Sequence, residues 1–216
     1  MAQGVGMAAF GRPDRTDPAS RVLSHAIRAG AEGEHITSPR GEEFHSMDHG
    51  SIDWRKALDS TNWLINSSDI VLEGDSPRSA WAAAMTFAEL EGSKTVMVVS
   101  SPSDPRLMEE SWGAVVSKIR QIHVMFIDSE AIGAISEIEG VDQDALLGEI
   151  RLKGMVPIVC TYDPITGTAR VEHSTGSVKE GVARGLNPAE WLSGFLCRLP
   201  ETGPGKEGIK RATATE

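Results

Sequence analysis

The stretch that decides the fold spans residues 62–99 and reads NWLINSSDIVLEGDSPRSAWAAAMTFAELEGSKTVMVV. It opens with a short apolar run at 63–65, which is typical of a buried strand. Apolar residues then recur at helical spacing from Asp75 until Gly92, a residue suited to ending a helix. A β-branched run at 95–99 indicates a second buried strand. This strand–helix–strand order favours parallel pairing through a right-handed crossover.

The same alternation continues on both sides of this unit. On the N-terminal side it predicts a helix and then a short strand, and on the C-terminal side a series of helices and strands. The predicted helices are 17–30, 108–121, 129–139, 142–153 and 187–199, and the predicted strands are 34–37, 123–127, 156–161 and 168–173, with a further short strand at 70–72 inside the first unit. The strand 168–173 is expected to pair with 156–161 through a turn at 163–167. The pattern therefore predicts an α/β fold, a three-layer αβα sandwich around a mostly parallel sheet.

The ends of the chain lack this pattern. Residues 1–17 are rich in Gly, Pro and Asp, and predict an N-terminal loop. Residues 203–216 are rich in Gly, Thr and Lys without an apolar face, and predict a disordered tail. The intervening residues, 18–202, are predicted to form one α/β domain, because a chain of 216 residues is short for two ordinary domains.

Composition excludes several classes of partner. The formal net charge of −10 repels nucleic acid phosphates and anionic lipid headgroups, so we expect neither nucleic acid nor membrane as a partner. Cys160 and Cys197 lack a paired spacing and predict buried free thiols. No apolar run approaches the roughly 20 residues that span a bilayer, and Met1 to Phe10 does not read as a signal peptide. The expected location is cytoplasmic.

No self-contained catalytic or metal-binding motif stands out. The sequence has no P-loop, no Gly-x-Ser-x-Gly and no Cys/His metal spacing. His45, Asp48 and His49 share one polar loop. This loop could bind a metal, or it could be an ordinary loop in contact with solvent. Because two histidines without further ligands at suitable spacing are weak evidence for a metal, we predict no resident metal site.

Short segments in a fixed order carry a resemblance to a known family. They are Gly11-Arg12 with the following helix and His35-Ile36, EFHSM at 43–47, IDW at 52–54, WLI at 63–65, DSPRSAW at 75–81, FIDSEA at 126–131 and WLSGFL at 191–196. In this order and spacing the chain resembles the pfkB (ribokinase) family of carbohydrate kinases. It looks most like the 2-keto-3-deoxygluconate kinases.

The resemblance implies a ribokinase-like fold and a specific chemistry. Members of the family use ATP with Mg²⁺ to phosphorylate a hydroxyl of a sugar or sugar acid. A carboxylate accepts the hydroxyl proton, and backbone N–H groups of a Gly-Ala-Gly-Asp helix start stabilise the charge that develops on the phosphoryl oxygens. This chain would need equivalent groups at the same positions to catalyse the same reaction.

The sequence departs from the family at the helix start. The Gly-Ala-Gly-Asp segment aligns with residues 186–189, which places Ala189 at the position of the proton acceptor. A shift of one residue would place Glu190 there as a substitute base. Alternatively, Asn187, Pro188 and Glu190 form ordinary helix-start chemistry, with Asn187 as the cap and Glu190 reaching back to the free N–H groups.

Other family positions are also altered, and most of the lid is missing between His35 and Glu43. The Asn-x-x-Glu motif aligns with Asp128 and Ala131, and the family's N-terminal strand with its Gly-Gly-x-x-x-Asn segment has no counterpart. The candidate residues that the resemblance implies are Glu190 as a catalytic base, Asp128, Gly167, Asn187 and Ala189 for the nucleotide, and Arg106 for the substrate.

Three interpretations remain open. The chain is a kinase homologue without phosphotransfer activity that has a binding, regulatory or structural role, or a divergent kinase that uses ATP and Mg²⁺, or an unrelated α/β domain. The first two suggest a sugar acid or a nucleotide as ligand. A missing N-terminal strand would leave one sheet edge less covered, which suggests a protein partner or self-association there.

Overall fold

The computed structural model describes residues 4–214 and contains one eight-stranded sheet. Its strand order is β2-β1-β3-β4-β5-β6-β7-β8, with parallel pairing from β2 through β6 and antiparallel pairing of β7 and β8. The strands are β1 Gly6–Phe10, β2 Glu32–Ile36, β3 Trp63–Ser67, β4 Lys94–Val99, β5 Ile122–Ile127, β6 Ile158–Asp163, β7 Thr168–His173 and β8 Gly176–Gly181.

Helices cover both faces of the sheet. They are α1 Pro18–Arg28, α2 Trp54–Ala57, α3 Asp75–Glu91, α4 Met108–Ser117, α5 Ile132–Glu139, α6 Leu146–Gly154, α7 Pro188–Thr202 and α8 Lys206–Thr213. One apolar core joins the sheet to α2 through α6, and a second core on the opposite face joins it to α1, α7 and α8. The predicted three-layer α/β fold with a mostly parallel sheet is therefore confirmed.

The local sequence explains several element boundaries. Helix α3 ends at Gly92, which adopts a φ of 79° that disfavours residues with a side chain. The predicted hairpin between β6 and β7 is present, and Gly167 has a φ of 67° in its turn. Between β2 and β3 the chain forms only short 3-10 turns and α2.

The N-terminal segment differs from its prediction. Residues 1–17 were expected to be a loop without an N-terminal strand, yet Gly6–Phe10 forms β1, with every residue buried between β2 and β3. The edge strand next to β1 is β2, where Glu32 and Glu34 face solvent, so this edge of the sheet is acidic rather than apolar. The run 70–72 was expected to be a strand and lies in the 3-10 helix Ser68–Leu72.

The C-terminal segment was predicted to be disordered, and this prediction is wrong for Lys206–Thr213, which form α8. Residues 215–216 lie outside the described part of the chain. Ile209 and Ala212 are 0% exposed in the core beneath α7. The Trp191 indole N–H also donates to the Thr213 carbonyl over 3.3 Å. Helix α8 is held by these tertiary contacts, which a local pattern does not reveal.

We expect Ile209→Ala to lower the free energy of unfolding by about 2–5 kcal/mol, the usual cost of truncating a large buried aliphatic side chain. Urea unfolding followed by tryptophan fluorescence measures the change. The matched control is Leu152→Ala, since Leu152 is 62% exposed and should change stability by less than about 0.5 kcal/mol. Equal, small effects of the two substitutions would show that α8 does not pack as described.

Candidate functional site

A cavity of about 770 Å³ opens at the carboxyl ends of the central parallel strands. Its walls are the β1–α1 loop, the 3-10 helix after β3, residues 100–104 after β4, residues 128–130 after β5 and the first residues of α7. Ligands of open α/β sheets bind in crevices at this edge, because the loops that follow the strands converge there. The cavity is therefore the candidate ligand site.

A buried carboxylate organises the β1–α1 wall of this cavity. Asp17 is 0% exposed and caps α1 by accepting the Ser20 backbone N–H over 2.8 Å and the Ser20 hydroxyl over 2.7 Å. It also accepts the Arg12 backbone N–H over 2.9 Å. A Cβ atom at Gly11 would lie 2.4 Å from an Asp17 oxygen, so this approach requires glycine. These bonds hold the backbone that carries Arg12.

The Arg12 side chain joins two elements that are distant in sequence. Its guanidinium pairs with Asp69 over 2.9 Å and with Glu73, whose Oε1 accepts from Arg12 Nε over 2.9 Å. Burial raises the pKa of Asp69, although Ser67 and Arg12 oppose that shift. Burial opposes the charge on Arg12, but Asp69 and Glu73 outweigh it, so the pKa of Arg12 is raised overall. This ion-pair network locks the β1–α1 loop to the 3-10 helix after β3.

The start of α7 lines the same cavity with few free donors. The Asn187 side-chain oxygen accepts the Ala189 N–H over 2.9 Å, and Pro188 has no N–H. Neither of the first two helical residues can therefore offer an amide hydrogen to a ligand. The predicted cap by Asn187 is confirmed. The return bond expected from Glu190 is absent among residues 4–214, and the Glu190 side chain is exposed.

One carboxylate that was singled out from the sequence lies in the cavity. Asp128 follows β5, and burial raises its pKa, with the nearby charge of Glu130 acting in the same direction. Ala131 is fully buried and has no carboxylate where the family resemblance implies one. A partly buried carboxyl group of raised pKa in a cavity is a candidate proton acceptor.

The structure thus brings Asp128, Asn187 and Ala189 together, whereas the other sequence candidates lie elsewhere. Glu190 does not line the cavity. Arg106 is exposed, does not line the cavity, and pairs over 2.6 Å with Asp104, which does. Gly167 lies in the β6–β7 turn, where a Cβ atom would be 2.6 Å from the Val182 carbonyl oxygen, so its conformation has a structural cause.

Sequence reasoning missed the network of Arg12, Asp69 and Glu73. Each residue follows shortly after a strand that ends at the carboxyl edge of the sheet. This position could have identified Asp69 and Glu73 as candidate site residues, because β3 was predicted from the sequence. It was hidden for Arg12, because β1 was interpreted as loop.

The charges around the cavity do not fit the phosphates of ATP. Two arginines line it, Arg12 and Arg21, and the guanidinium of Arg12 is neutralised by its own carboxylates. The lining carboxylates are Asp69, Glu73, Asp104, Asp128 and Glu130. No cluster of three or more metal-ligating side chains occurs within residues 4–214.

Arg12→Met should lower the free energy of unfolding at pH 7 by about 2–3 kcal/mol, because it leaves largely buried carboxylates without a cation. Without Arg12, the already raised pKa of Asp69 should rise further. A raised native-state pKa makes the native state gain protons first, so the deficit should shrink as the pH falls from 7 to 5. Urea unfolding at several pH values measures both effects.

The control for this prediction is Arg21→Met, which removes an exposed arginine from the same cavity. We expect it to change stability by less than about 0.5 kcal/mol. The double variant Arg12→Met/Asp69→Asn should recover part of the loss, since it removes the buried charge as well. A loss in Arg12→Met that matches Arg21→Met, or that ignores pH, would contradict the proposed network.

Comparison with known proteins supports the fold. No family model and no curated protein matches the sequence. The structure is similar to 2-dehydro-3-deoxygluconokinase from Thermotoga maritima, with a TM-score of 0.66 and 11% identity over 89% of this chain and 86% of that chain. It is similar to a PfkB protein from Polaromonas sp. JS666, with a TM-score of 0.73 and 12% identity over 97% of this chain and 94% of that chain.

A third similar structure is fructokinase with bound ATP from Xylella fastidiosa, with a TM-score of 0.65 and 12% identity over 98% of this chain and 75% of that chain. Identities this low establish a shared architecture and not a shared activity. The chain has the ribokinase-like α/β fold of these carbohydrate kinases.

Proposed function

We propose that this protein is a carbohydrate-kinase homologue that binds a ligand or partner without transferring phosphate. One observation carries the proposal. At the start of α7, where the family's chemistry needs free N–H groups and a proton acceptor, the chain has a self-capped Asn187, Pro188 without an N–H, and Ala189 without a carboxylate. Both parts of the required machinery are therefore absent at that position.

The expected loss of rate is large. A general base usually contributes about 10²–10⁴-fold, and each donor that stabilises developing charge contributes about 10²–10³-fold. The surplus of carboxylates over arginines around the cavity adds repulsion against ATP. Losing a base and a donor together would make turnover negligible.

A binding or regulatory role is consistent with the organisation of the site. The Asp17 cap and the Arg12 network hold the cavity walls through several hydrogen bonds and ion pairs. A preformed cavity with polar groups can bind a small ligand at a lower entropic cost than a mobile one. The fold implies a sugar acid or a nucleotide as the ligand class, and the carboxylates that line the cavity disfavour the nucleotide. A protein partner or self-association is the alternative.

A divergent kinase is the second candidate, and Asp128 favours it. The raised pKa of this carboxyl group and its place beside the start of α7 would suit a proton acceptor that replaces the missing one. In that case the protein would use ATP and Mg²⁺ with a substrate similar to 2-keto-3-deoxygluconate.

The two candidates predict opposite results with nucleotide. We expect no rise in melting temperature when ATP and Mg²⁺ are added, because a ligand stabilises only a native state that binds it. We also expect ADP release with 2-keto-3-deoxygluconate to equal that of Asp128→Asn. A working carbohydrate kinase assayed in parallel establishes the sensitivity. A clear rise with ATP, together with ADP release that Asp128→Asn abolishes, would refute the proposal and support the divergent kinase.

A further inference from the structure

Strand β2 forms one edge of the sheet. Within residues 4–214 it pairs with β1 and with no other strand. The Glu32 N–H donates to the Val5 carbonyl over 3.1 Å, which directs the backbone of Glu32 towards β1. Alternate residues of a strand direct their backbone groups to opposite sides, so the N–H and C=O groups of Gly33 and His35 point outwards. This edge therefore offers donors and acceptors to another strand.

The outer side of β2 is open to solvent and borders a groove. Glu32, Gly33 and Glu34 are all exposed. The groove has a volume of about 880 Å³, and its walls include β2, residues 37–40 and several residues between 51 and 61. An extended segment that lies along β2 would therefore have space for the side chains that it directs into the groove.

The two faces of β2 differ in chemistry. Gly33 faces α1, because a Cβ atom there would lie 2.5 Å from the Ile27 side chain. Ile27 is 43% exposed, so an apolar surface flanks the edge on that face. Successive side chains of a strand alternate between its faces, so Glu32 and Glu34 lie on the other face, where they line the groove. A segment paired with β2 would thus meet an apolar side chain on one face and carboxylates on the other.

The groove face of this edge has an excess of negative charge. Neither Glu32 nor Glu34 forms an ion pair with any residue among 4–214. Four carboxylates and two lysine or arginine side chains line the groove, namely Glu32, Glu34, Asp53 and Asp59 against Arg40 and Lys56. On a chain of net charge −10, such a surface favours a basic partner.

A second copy of the chain fits this edge poorly. Antiparallel pairing of two β2 strands about Gly33 would place each Glu32 opposite a Glu34, and like charges directly opposite are destabilising. Pairing centred on Glu34 would still place two glutamates opposite each other. A segment with lysine or arginine at alternate positions would instead form cross-strand pairs of opposite charge.

We propose that β2 binds an extended basic segment of another protein as an additional strand of the sheet. The backbone groups of Gly33 and His35 exchange hydrogen bonds with the segment, and alternate side chains give specificity. Its basic side chains face Glu32 and Glu34, and its intervening apolar side chains lie against Ile27. The proposal does not rest on the function proposed for the cavity at α7, which shares no lining residue with this groove.

The probe is a fluorescently labelled peptide of alternating lysine and valine, and fluorescence anisotropy with the full-length protein measures its binding. We expect this peptide to bind, and a peptide with glutamate in place of lysine not to bind. Glu32→Lys/Glu34→Lys should weaken binding about tenfold or more, since two attractive pairs become repulsive. The matched control, Glu137→Lys/Glu201→Lys, makes the same change of charge at exposed glutamates outside the groove and should leave binding almost unchanged.

Methylation of the peptide backbone separates strand addition from attraction by charge alone. Methyl groups on the amides of all lysines, or of all valines, remove the donors from one edge of the peptide. We expect one of these two peptides to lose binding and the other to retain it, because a single edge of the peptide pairs with β2. Bound peptide should also slow hydrogen exchange at the Gly33 and His35 amides.

Three results would overturn the proposal. They are equal binding of the two methylated peptides, binding to Glu32→Lys/Glu34→Lys that equals binding to the control variant, and no binding of the lysine–valine peptide. A dimer in which the Gly33 and His35 amides are protected without peptide would also overturn it, because a second copy of the chain would then be the occupant of the edge.

Discussion

The N–H groups that open a helix must find acceptors, and this requirement shapes the candidate site. Helices α1 and α7 both begin at the cavity, and in each a side chain of the same chain accepts one N–H of the first turn. Asp17 and Asn187 are the caps, and each is followed by a proline that fixes the backbone at the first helical position. A helix start with one N–H capped and another missing at proline has fewer donors to offer an anionic ligand.

The two caps differ in what else they hold. Asn187 is exposed and serves its own helix, whereas Asp17 is buried and also fixes the backbone of Arg12. Through Arg12, that one carboxylate is linked to Asp69 and Glu73 on the far wall of the cavity. These contacts connect the carboxyl ends of β1 and β3, and the two carboxylates neutralise the positive charge of Arg12. An arginine in this position therefore stabilises the walls rather than attracting an anion.

Short sequence patterns predicted correctly the helices and strands whose boundaries depend on residues that are neighbours in the chain. Helix α3 was predictable because its apolar spacing ends at Gly92, and the β6–β7 hairpin because its turn residues are typical. Strand β1 was missed because GMAAF has neither β-branched residues nor alternation, and its burial depends on β2, β3 and α1. Helix α8 was missed for the same reason, since its small apolar face is buried by α7, β7 and β8.

In the candidate site, too, contacts between neighbouring residues could be predicted from the sequence, and contacts between distant segments could not. The cap by Asn187 was readable from neighbouring residues and is present, whereas the pairing of Arg12 with Glu73 joins segments far apart in the chain. The bond predicted for Glu190 is not formed within the described part of the chain. Its spacing from the cap suited a return bond, but an exposed carboxylate at a helix start gains little from giving up water, so the pattern did not determine its position.

The distribution of charge distinguishes this protein from what its fold alone would suggest. Phosphoryl transfer needs cations or free amides at the carboxyl ends of the parallel strands, because negative charge must be offset there. In this chain those strand ends carry Asp69, Glu73 and Asp128 instead. Arg170, which pairs with Asp144, and Lys179 lie on the antiparallel extension formed by β7 and β8. The acidic character of this crevice is therefore set by its side chains and not by the topology of the backbone.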